Sequence, residues 1–122
     1  MKQGRKITGG KYHKLRKKKF YEKQNQQRVV TVKETKRKTL RVKGGNKKTI
    51  LLNTDDANIF NSKTKKTQKA KIKNVLETPQ NVFLARQNLL LKGAIIETEL
   101  GKAKITNRPS QEGCVNAILL EE

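Results

Sequence analysis

The segment Ala94-Ile-Ile-Glu-Thr-Glu-Leu-Gly-Lys-Ala-Lys-Ile-Thr106 decides the fold, because two runs of strand-forming residues meet at one glycine. Short runs of β-branched and aliphatic residues are typical of strands, and a glycine between two such runs marks a turn. We therefore predict strands over residues 94–100 and 102–106, separated by Gly101. A further strand is predicted over residues 114–120, after a stretch that contains proline, serine and glycine.

Similar runs occur earlier in the chain. Short stretches of strand-forming residues predict strands over residues 28–33, 39–43 and 49–53. The Gly-Gly-Asn sequence at 44–46 readily adopts positive φ, so it predicts a hairpin that joins the second and third of these strands. Residues 61–67 are polar and basic and are predicted to form a loop.

The segment 68–77 alternates between apolar and cationic residues. Its apolar positions are Ala70, Ile72 and Leu76, and its cationic positions on the opposite side are Lys69, Lys71 and Lys73. Because side chains alternate between the two faces of a strand, this pattern predicts a half-buried strand with a cationic outer face.

Residues 78–87 are compatible with two structures. Thr78 followed by Pro79 fits a helix N-cap with proline at the first helical position, which predicts a short helix over 79–87, but a loop fits nearly as well. Six or seven short, closely spaced strands predict an all-β fold with at most one short helix. Since closure removes exposed strand edges, we expect a small antiparallel β-barrel.

The charge of the chain is concentrated in its first part. The 122 residues carry a net charge of +20, and residues 1–48 hold 19 basic and 2 acidic residues, whereas residues 74–122 hold 5 and 6. Residues 1–27 have too few apolar side chains to offset the entropy of ordering. We therefore predict an arm over 1–27 that is extended or disordered until bound, with a short helix over 14–20 possible in the bound state, and a folded domain over 28–122.

Such an excess of positive charge favours a polyanionic partner. Nucleic acid is the leading candidate, because the basic run 16–19 can neutralise phosphates while Tyr12, Phe20 and Tyr21 can stack on bases. A general nucleic-acid chaperone or chromatin-type packing protein would explain the charge equally well. An adaptor that binds anionic membranes is a further alternative, but the arm has no amphipathic stripe and no lipidation motif.

Other classes of protein are excluded by what the sequence lacks. The longest apolar runs have four residues, against roughly 18 to 20 for a membrane-spanning helix, and no apolar stretch typical of a secretory signal follows the first residues. Cys114 is the only cysteine, so we expect a packed thiol, no disulfide and a reducing, cytoplasmic compartment.

No set of residues in the sequence fits catalysis. His13 is the only histidine, which excludes a multi-histidine metal site and a histidine-based triad, and residues 4–11 lack the spacing of a phosphate-binding loop. The acidic pairs Asp55 with Asp56 and Glu97 with Glu99 have no accompanying nucleophile or metal ligands, so we interpret them as solvated or paired with nearby lysines. We expect no enzymatic activity, cofactor, metal or small-molecule substrate.

Three blocks of residues resemble a known family. They are Arg5-Lys-Ile-Thr-Gly-Gly10 with His13, Lys14, residues 16–19 and Glu22; Leu40-Arg-Val-Lys-Gly-Gly-Asn-Lys47 with Leu51 and Leu52; and Lys69-Ala-Lys-Ile72, Asn81, Arg86, Asn88, Lys92-Gly-Ala-Ile-Ile-Glu-Thr-Glu99, Gly101-Lys-Ala-Lys-Ile-Thr106, Arg108-Pro109 and Val115-Asn-Ala117. Together they resemble protein eight of the small ribosomal subunit, of the archaeal and eukaryotic type. The short length is similar to that of the archaeal form, which lacks an insertion found in eukaryotic members.

The resemblance implies a six-stranded β-barrel core whose amino-terminal extension runs into ribosomal RNA, without catalysis. Small-subunit ribosomal RNA and neighbouring ribosomal proteins are the partners it implies, and we expect a monomer outside the ribosome. The chain departs from the family pattern at Lys23, Gln24, Thr49, Gln87 and Ser110.

We predict that RNA is contacted by the arm, the hairpin tip, the cationic strand face and two isolated arginines. The residues are Arg5, Lys6, Thr8, Gly9, Gly10, Lys11, His13, Lys14, Arg16, Lys17, Lys18 and Lys19; Arg41, Lys43, Gly44, Gly45, Asn46, Lys47 and Lys48; Lys69, Lys71 and Lys73; and Arg86 and Arg108. Arginine forms bidentate contacts with phosphates and base edges, so specificity is expected mainly from the five arginines of this set.

Overall fold

The computed structural model describes residues 4–13, 16–24 and 27–120. The regular elements are a 3-10 turn Phe20–Glu22, β1 Lys36–Arg41, a 3-10 turn Lys43–Gly45, β2 Lys47–Asn53, β3 Asp56–Asn61, β4 Lys66–Glu77, α1 Val82–Arg86, β5 Ile95–Thr98, β6 Gly101–Ile105 and β7 Asn116–Leu119. The predicted all-β class with one short helix is confirmed.

Strands β3 to β7 form a closed barrel in sequence order. Each strand pairs antiparallel with the next, and β3 pairs with β7 in parallel through Asn58 with Asn116 and Ile59 with Ala117. The closing pair is parallel because the first and last of five alternating strands run in the same direction. The barrel therefore has five strands and one parallel pair, whereas six antiparallel strands were expected.

Strands β1 and β2 form a separate two-stranded sheet, which is the predicted hairpin. At its tip Gly44 and Gly45 have φ of 73° and 76°, and the Val42 amide donates to the Asn46 carbonyl at 2.8 Å. At the other end of β2, Leu51 is buried. The hairpin is thereby anchored on the barrel while its tip projects into solvent.

The region 28–33 is not a strand, in contrast to the prediction. Val30 is fully buried and its carbonyl accepts a hydrogen bond from the Leu90 amide at 2.9 Å, but only Thr31 forms β-bridges, to Asn53 and Leu89. This segment crosses between β2 and the loop after α1 and forms only one β-bridge with each of them.

Strand β3, at Asp56–Asn61, is missing from the predicted elements. Aspartate and asparagine are poor strand formers, and they occupy three of its six positions. Only Ala57 and Ile59 are buried, so the apolar pattern is too short to indicate a strand by itself.

Strand β4 carries the predicted alternation only over its first part. The pairing with β5 shifts register between Ile72 and Asn74 and again between Val75 and Glu77. As a result Val75 points inward, with 7% of its surface exposed, whereas Leu76 is 45% exposed. The expectation that Leu76 lies on the buried side was therefore wrong, because such irregularities displace the alternation by one residue.

The helix α1 begins later than predicted. Asn81 is its N-cap, with a side-chain oxygen that accepts from the Phe83 amide at 3.0 Å, whereas Thr78 is buried and its hydroxyl donates to the Asn81 carbonyl at 2.5 Å. Thr78 and Pro79 thus belong to the turn that precedes the helix. Just after it, the side chain of Asn88 accepts from the Val75 amide at 3.2 Å, which connects this region to β4.

The barrel interior pairs large with small side chains. Ile96 lies opposite Ala103, Ile105 opposite Ala117, and Ile59 opposite Ala117 on the parallel side. All of these residues are buried. A small barrel has little interior space, which favours a small side chain opposite each of these isoleucines on one neighbouring strand.

Candidate nucleic-acid interface

The first described part of the arm forms a tight loop between Arg5 and Lys11. The Lys6 amide donates to the Gly10 carbonyl and the Gly9 amide to the Lys6 carbonyl, both at 2.9 Å. The Arg5 side chain donates to the Gly9 carbonyl at 3.0 Å, and Gly9 has φ of 79°. Outside this loop and one 3-10 turn the described arm lacks regular structure, and its side chains are exposed.

Arg16 is held by an acidic neighbour. Its Nη1 and Nη2 atoms donate to Glu22 Oε2 and Oε1 at 2.8 and 2.6 Å, and the Lys19 amide donates to Oε2 at 3.1 Å. The Arg16 hydrogen bonds, followed by that of the Lys19 amide, lower the pKa of Glu22 below its ordinary value of 4.5. Arg16 therefore shapes the arm, while Lys17 and Lys18 extend into solvent with no ion pair among the described residues.

Three aromatic side chains of the arm are accessible. Phe20 is 91% exposed and Tyr21 is 76% exposed, and Tyr12 is half exposed. Lys6 Nζ lies 5.7 Å from the centre of the Tyr12 ring, and Lys19 Nζ lies 5.9 Å from that of Tyr21. A ring next to a cation can stack on a base while the cation approaches the adjacent phosphate.

The hairpin carries a dense positive charge without internal compensation. Between residues 36 and 54 the sequence has seven cationic residues and no acidic one; these cations are Lys36, Arg37, Lys38, Arg41, Lys43, Lys47 and Lys48. All are exposed except Lys48, which is intermediate. The first three lie on β1 and were not among the predicted site residues. The sequence reveals them only through the absence of nearby acids.

The cationic face of β4 is partly neutralised. Lys69 Nζ lies 2.8 Å from Asp56 Oδ2, and Lys71 Nζ lies 3.1 Å from Asp55 Oδ2. The interpretation that these aspartates pair with lysines is thus confirmed. Lys73 is exposed and forms no ion pair in the described part of the chain, so it is the least compensated cation of the predicted face.

The pairing of Asp55 with Lys71 is visible in both pKa values. The Lys71 side-chain hydrogen bond is the main reason why the pKa of Asp55 lies below its ordinary value of 3.8. The Asp55 hydrogen bond likewise raises the pKa of Lys71 above 10.5. Both groups remain charged at neutral pH.

The two isolated arginines lie in different surroundings. The Arg86 guanidinium lies 5.9 Å from the centre of the exposed Phe83 ring on α1. Arg108 is exposed on the loop that precedes β7 and lies at a groove that also contains Lys92. Arg86 and Arg108 therefore lie on different elements from the β4 lysines.

The predicted site residues thus form separate groups in the arm, the hairpin and β4, with Arg86 and Arg108 placed individually. His13 is exposed in the arm, and Lys14 lies outside the described residues. Over the described ranges, no group of three or more His, Cys, Asp or Glu side chains is placed to hold a metal ion. Among the helices in those ranges, none has the length and apolar character needed to cross a bilayer.

Comparisons with known proteins give a consistent result. The family model for ribosomal protein S8e matches residues 1–120. The small ribosomal subunit protein eS8 of Methanocorpusculum labreanum is 48% identical over 117 residues, which cover 96% of this chain and 94% of that protein. The proteins of the same name from Methanococcus aeolicus and Sulfolobus acidocaldarius are 48% and 45% identical over 120 residues, or 97% of this chain and 93% of each relative.

Proposed function

The chain belongs to the ribosomal protein S8e family, and from this we propose that it is a structural component of the small ribosomal subunit that binds ribosomal RNA. The related archaeal proteins are named as small-subunit proteins. Members of such a family are structural constituents rather than enzymes. The proposed location is therefore the ribosome in the cytoplasm, with ribosomal RNA and adjacent subunit proteins as partners.

The proposal that the protein binds RNA rests mainly on one observation, the uncompensated positive charge of the hairpin. Seven cations on 36–48 have no acidic residue within that stretch. An isolated domain with such a surface is destabilised by repulsion, and a phosphate backbone removes this repulsion on binding. The glycines at 44 and 45 leave the backbone of the tip accessible to phosphates.

We assign the arm a second role in binding. Residues 1–27 are proposed as the extension that enters the RNA, and residues 28–122 as the domain that rests on its surface. Val30 is the first buried residue in the described part of the chain, which supports this boundary. Exposed cations at 17 and 18 and the exposed aromatic rings at 20 and 21 supply phosphate contacts and stacking.

Under this proposal the β4 face makes fewer phosphate contacts than the hairpin. Lys69 and Lys71 would have to leave Asp56 and Asp55 before they could contact phosphates, whereas Lys73 would not. The hairpin and the arm are therefore the main contact regions. Arg16 supports the arm through Glu22 rather than as a free phosphate ligand.

The salt dependence of binding tests this function. If on the order of 8 to 12 phosphates are contacted, the affinity for small-subunit ribosomal RNA should fall steeply with salt, with a slope of about −0.7 to −0.9 per contact in a plot of log K against log salt. Titrations with small-subunit RNA from one of the archaea named above, over a series of KCl concentrations, would give the slope. A flat response would contradict the proposal.

Two triple variants locate the contacts. Lys17, Lys18 and Lys19 changed to Gln should reduce the magnitude of the slope by about 2 to 3, because three phosphate contacts are lost. Changing Lys63, Lys65 and Lys66 to Gln alters the net charge equally, but in the turn between β3 and β4 and at the start of β4, and should leave the slope nearly unchanged. Equal effects of both variants, or equal affinity for unrelated RNA and for ribosomal RNA, would instead indicate a general nucleic-acid chaperone.

A further inference from the structure

A groove of about 420 Å³ lies beside the barrel, between the α1 region and the loop before β7. Its apolar lining comes from Leu84, Leu90, Leu91 and Pro109. Leu90 and Pro109 are almost fully buried, so they form a rigid base for the groove. The volume is at the lower end of the range for sites that hold one small ligand, so the groove can accept a single group but not a helix.

The amide side chains of Gln27, Gln80 and Gln111 and the Ser110 hydroxyl add hydrogen-bonding groups to this lining. Gln80 uses its amino group to donate to the Lys92 carbonyl, and its Oε1 has no hydrogen-bond partner among the described residues. Gln111 accepts from Lys48 Nζ at its Oε1, and its amino group has no partner in the described ranges. One acceptor and one donor near an apolar surface suit a flat ring whose edge carries both kinds of group.

The charge at the groove is positive. Lys92 and Arg108 line it and are exposed, and no aspartate or glutamate is among its lining residues. Neither cation forms an ion pair within the ranges that the structure describes. The contact between Lys48 and Gln111 also brings the basic hairpin to the same loop. An anionic ligand is therefore favoured over a cationic one.

We propose that this groove receives one unstacked nucleotide of an RNA strand, with its base on the leucines and its phosphate on Lys92 and Arg108. The proposal rests on the RNA-binding function proposed above. It adds a site that recognises an unpaired, unstacked nucleotide. Sequence-specific RNA recognition generally uses such splayed bases, whose edges are accessible. An acidic peptide would satisfy the two cations but would leave the apolar base and the amide groups without matching partners.

Single-stranded oligonucleotides test the site directly. The full chain, with ¹³C-labelled leucine methyl groups, is titrated with the octanucleotides A8 and U8 and with an RNA duplex of equal total charge. We expect the methyl signals of Leu84, Leu90 and Leu91 to shift with at least one octanucleotide and to remain unchanged with the duplex. Shifts that are equal for single-stranded and duplex RNA, or absent with both, would overturn the proposal.

Matched charge variants distinguish binding in the groove from non-specific electrostatic attraction to the basic protein. Arg108→Gln should weaken octanucleotide binding about tenfold, because a charged hydrogen bond to phosphate is lost. Lys104→Gln removes the same charge from an exposed position on β6 outside the groove and should change the affinity less than twofold. Lys92→Gln provides a second test of the same kind, and the methyl spectra report whether each variant is folded. If Lys104→Gln and Arg108→Gln weaken octanucleotide binding equally, the proposed site is contradicted.

The remaining outcomes distinguish this site from the general function. If an octa-aspartate peptide shifts the same methyl signals and the octanucleotides do not, the groove binds a protein partner and the nucleotide proposal fails. If ribosomal RNA binds with a steep salt dependence but Arg108→Gln has no effect, the proposed function stands without the groove. If ribosomal RNA does not bind at all, both fail.

Discussion

Asp55 and Lys71 show how a single ion pair changes the interpretation of a cationic strand. The lysine lies on the predicted RNA-facing side of β4, yet its ammonium group lies 3.1 Å from an aspartate oxygen of the same domain. The aspartate is the first residue before β3, a strand that the sequence pattern does not reveal. The number of lysines on a face therefore overstates the charge available to a partner.

This pair leads to a pH prediction. The pKa of Asp55 is lowered in the folded state, so the pair stabilises the fold above the ordinary value of 3.8, and this contribution is lost as pH falls through the lowered value. In Lys71→Gln the main cause of the shift is removed, and the pKa should rise toward 3.8. Carboxyl ¹³C chemical shifts measured as a function of pH would show this.

A second lysine serves as the control for that titration. Lys73 is on the same face of β4 and does not pair with Asp55, so Lys73→Gln should leave the titration of Asp55 almost unchanged. An equal rise in both variants would mean that the general positive field, and not the direct hydrogen bond, lowers the pKa.

Ala103 gives a prediction about packing. It is completely buried opposite Ile96, so a larger side chain has no free space on the inner face of the barrel. Ala103→Leu should lower the free energy of unfolding by about 1 to 3 kcal/mol through overpacking. Urea denaturation would measure this. Lys104→Leu, at the next and exposed position, should change it by less than about 0.5 kcal/mol, and a similar loss there would contradict the role of interior volume.

At the scale of the elements, the hairpin tip depends on backbone conformation rather than on side-chain contacts. Gly44 has φ of 73° and a β-carbon there would meet only the Asn46 side chain, at 3.6 Å. Gly44→Val should therefore destabilise the tip by about 1 to 2 kcal/mol through left-handed backbone strain alone. The Val42 amide, which donates to Asn46 across the tip, should exchange its hydrogen about tenfold faster.

The matched variant for this position is Gly44→Asn. Asparagine tolerates positive φ, so the exchange rate of the Val42 amide should increase much less than with valine. If both variants accelerate exchange equally, the loss of glycine itself, and not the strain, determines the stability of the tip.

The elements also show which features the sequence could predict. The hairpin 44–46 and the two strands near Gly101 were predictable, because turn residues and strand-forming runs agree there. The turn itself was misplaced, since it lies at residues 99–100 and Gly101 begins β6. The segment 28–33 has equally strong strand propensity but lies where only Thr31 forms β-bridges, so its structure depends on tertiary context. The register shifts in β4 likewise reverse the positions of Val75 and Leu76, and no local pattern indicates them.

The candidate contact regions could be proposed from the sequence to a similar degree. Charge density indicates the arm and the hairpin tip as candidates, because the charge of neither depends on which residues become neighbours in the fold. The neutralisation of Lys69 and Lys71 and the groove at Arg108 depend on residues far apart in sequence that meet only in the folded chain. Lys92 was not predicted for this reason.

At the scale of the whole molecule, the net charge of +20 makes stability depend on salt. Repulsion among like charges destabilises the compact state, and salt screens it over about 10 Å at 0.1 M. The melting temperature of the protein without RNA should rise by about 5 °C between low salt and 0.5 M KCl, which corresponds to about 1 kcal/mol. Circular dichroism at several salt concentrations would measure it.

The location of the repulsion can be tested with two charge variants. Changing Lys36, Lys38 and Lys43 to Gln removes charge from the hairpin, which is packed on the barrel, and should reduce the salt effect. Changing Lys17, Lys18 and Lys19 to Gln removes equal charge from the arm and should leave the effect almost unchanged. A melting temperature that is independent of salt would contradict the repulsion argument.

The parallel pairing of β3 with β7 has a consequence for the order of events during synthesis. Residues 58–60 can complete the barrel only after residues 116–118 have been added to the chain, because these two segments form the closing pair. Contacts between residues so distant in sequence form slowly. The basic arm and hairpin are thus translated well before the barrel closes, so the nascent chain presents its most basic segments to the cell while its core is still incomplete.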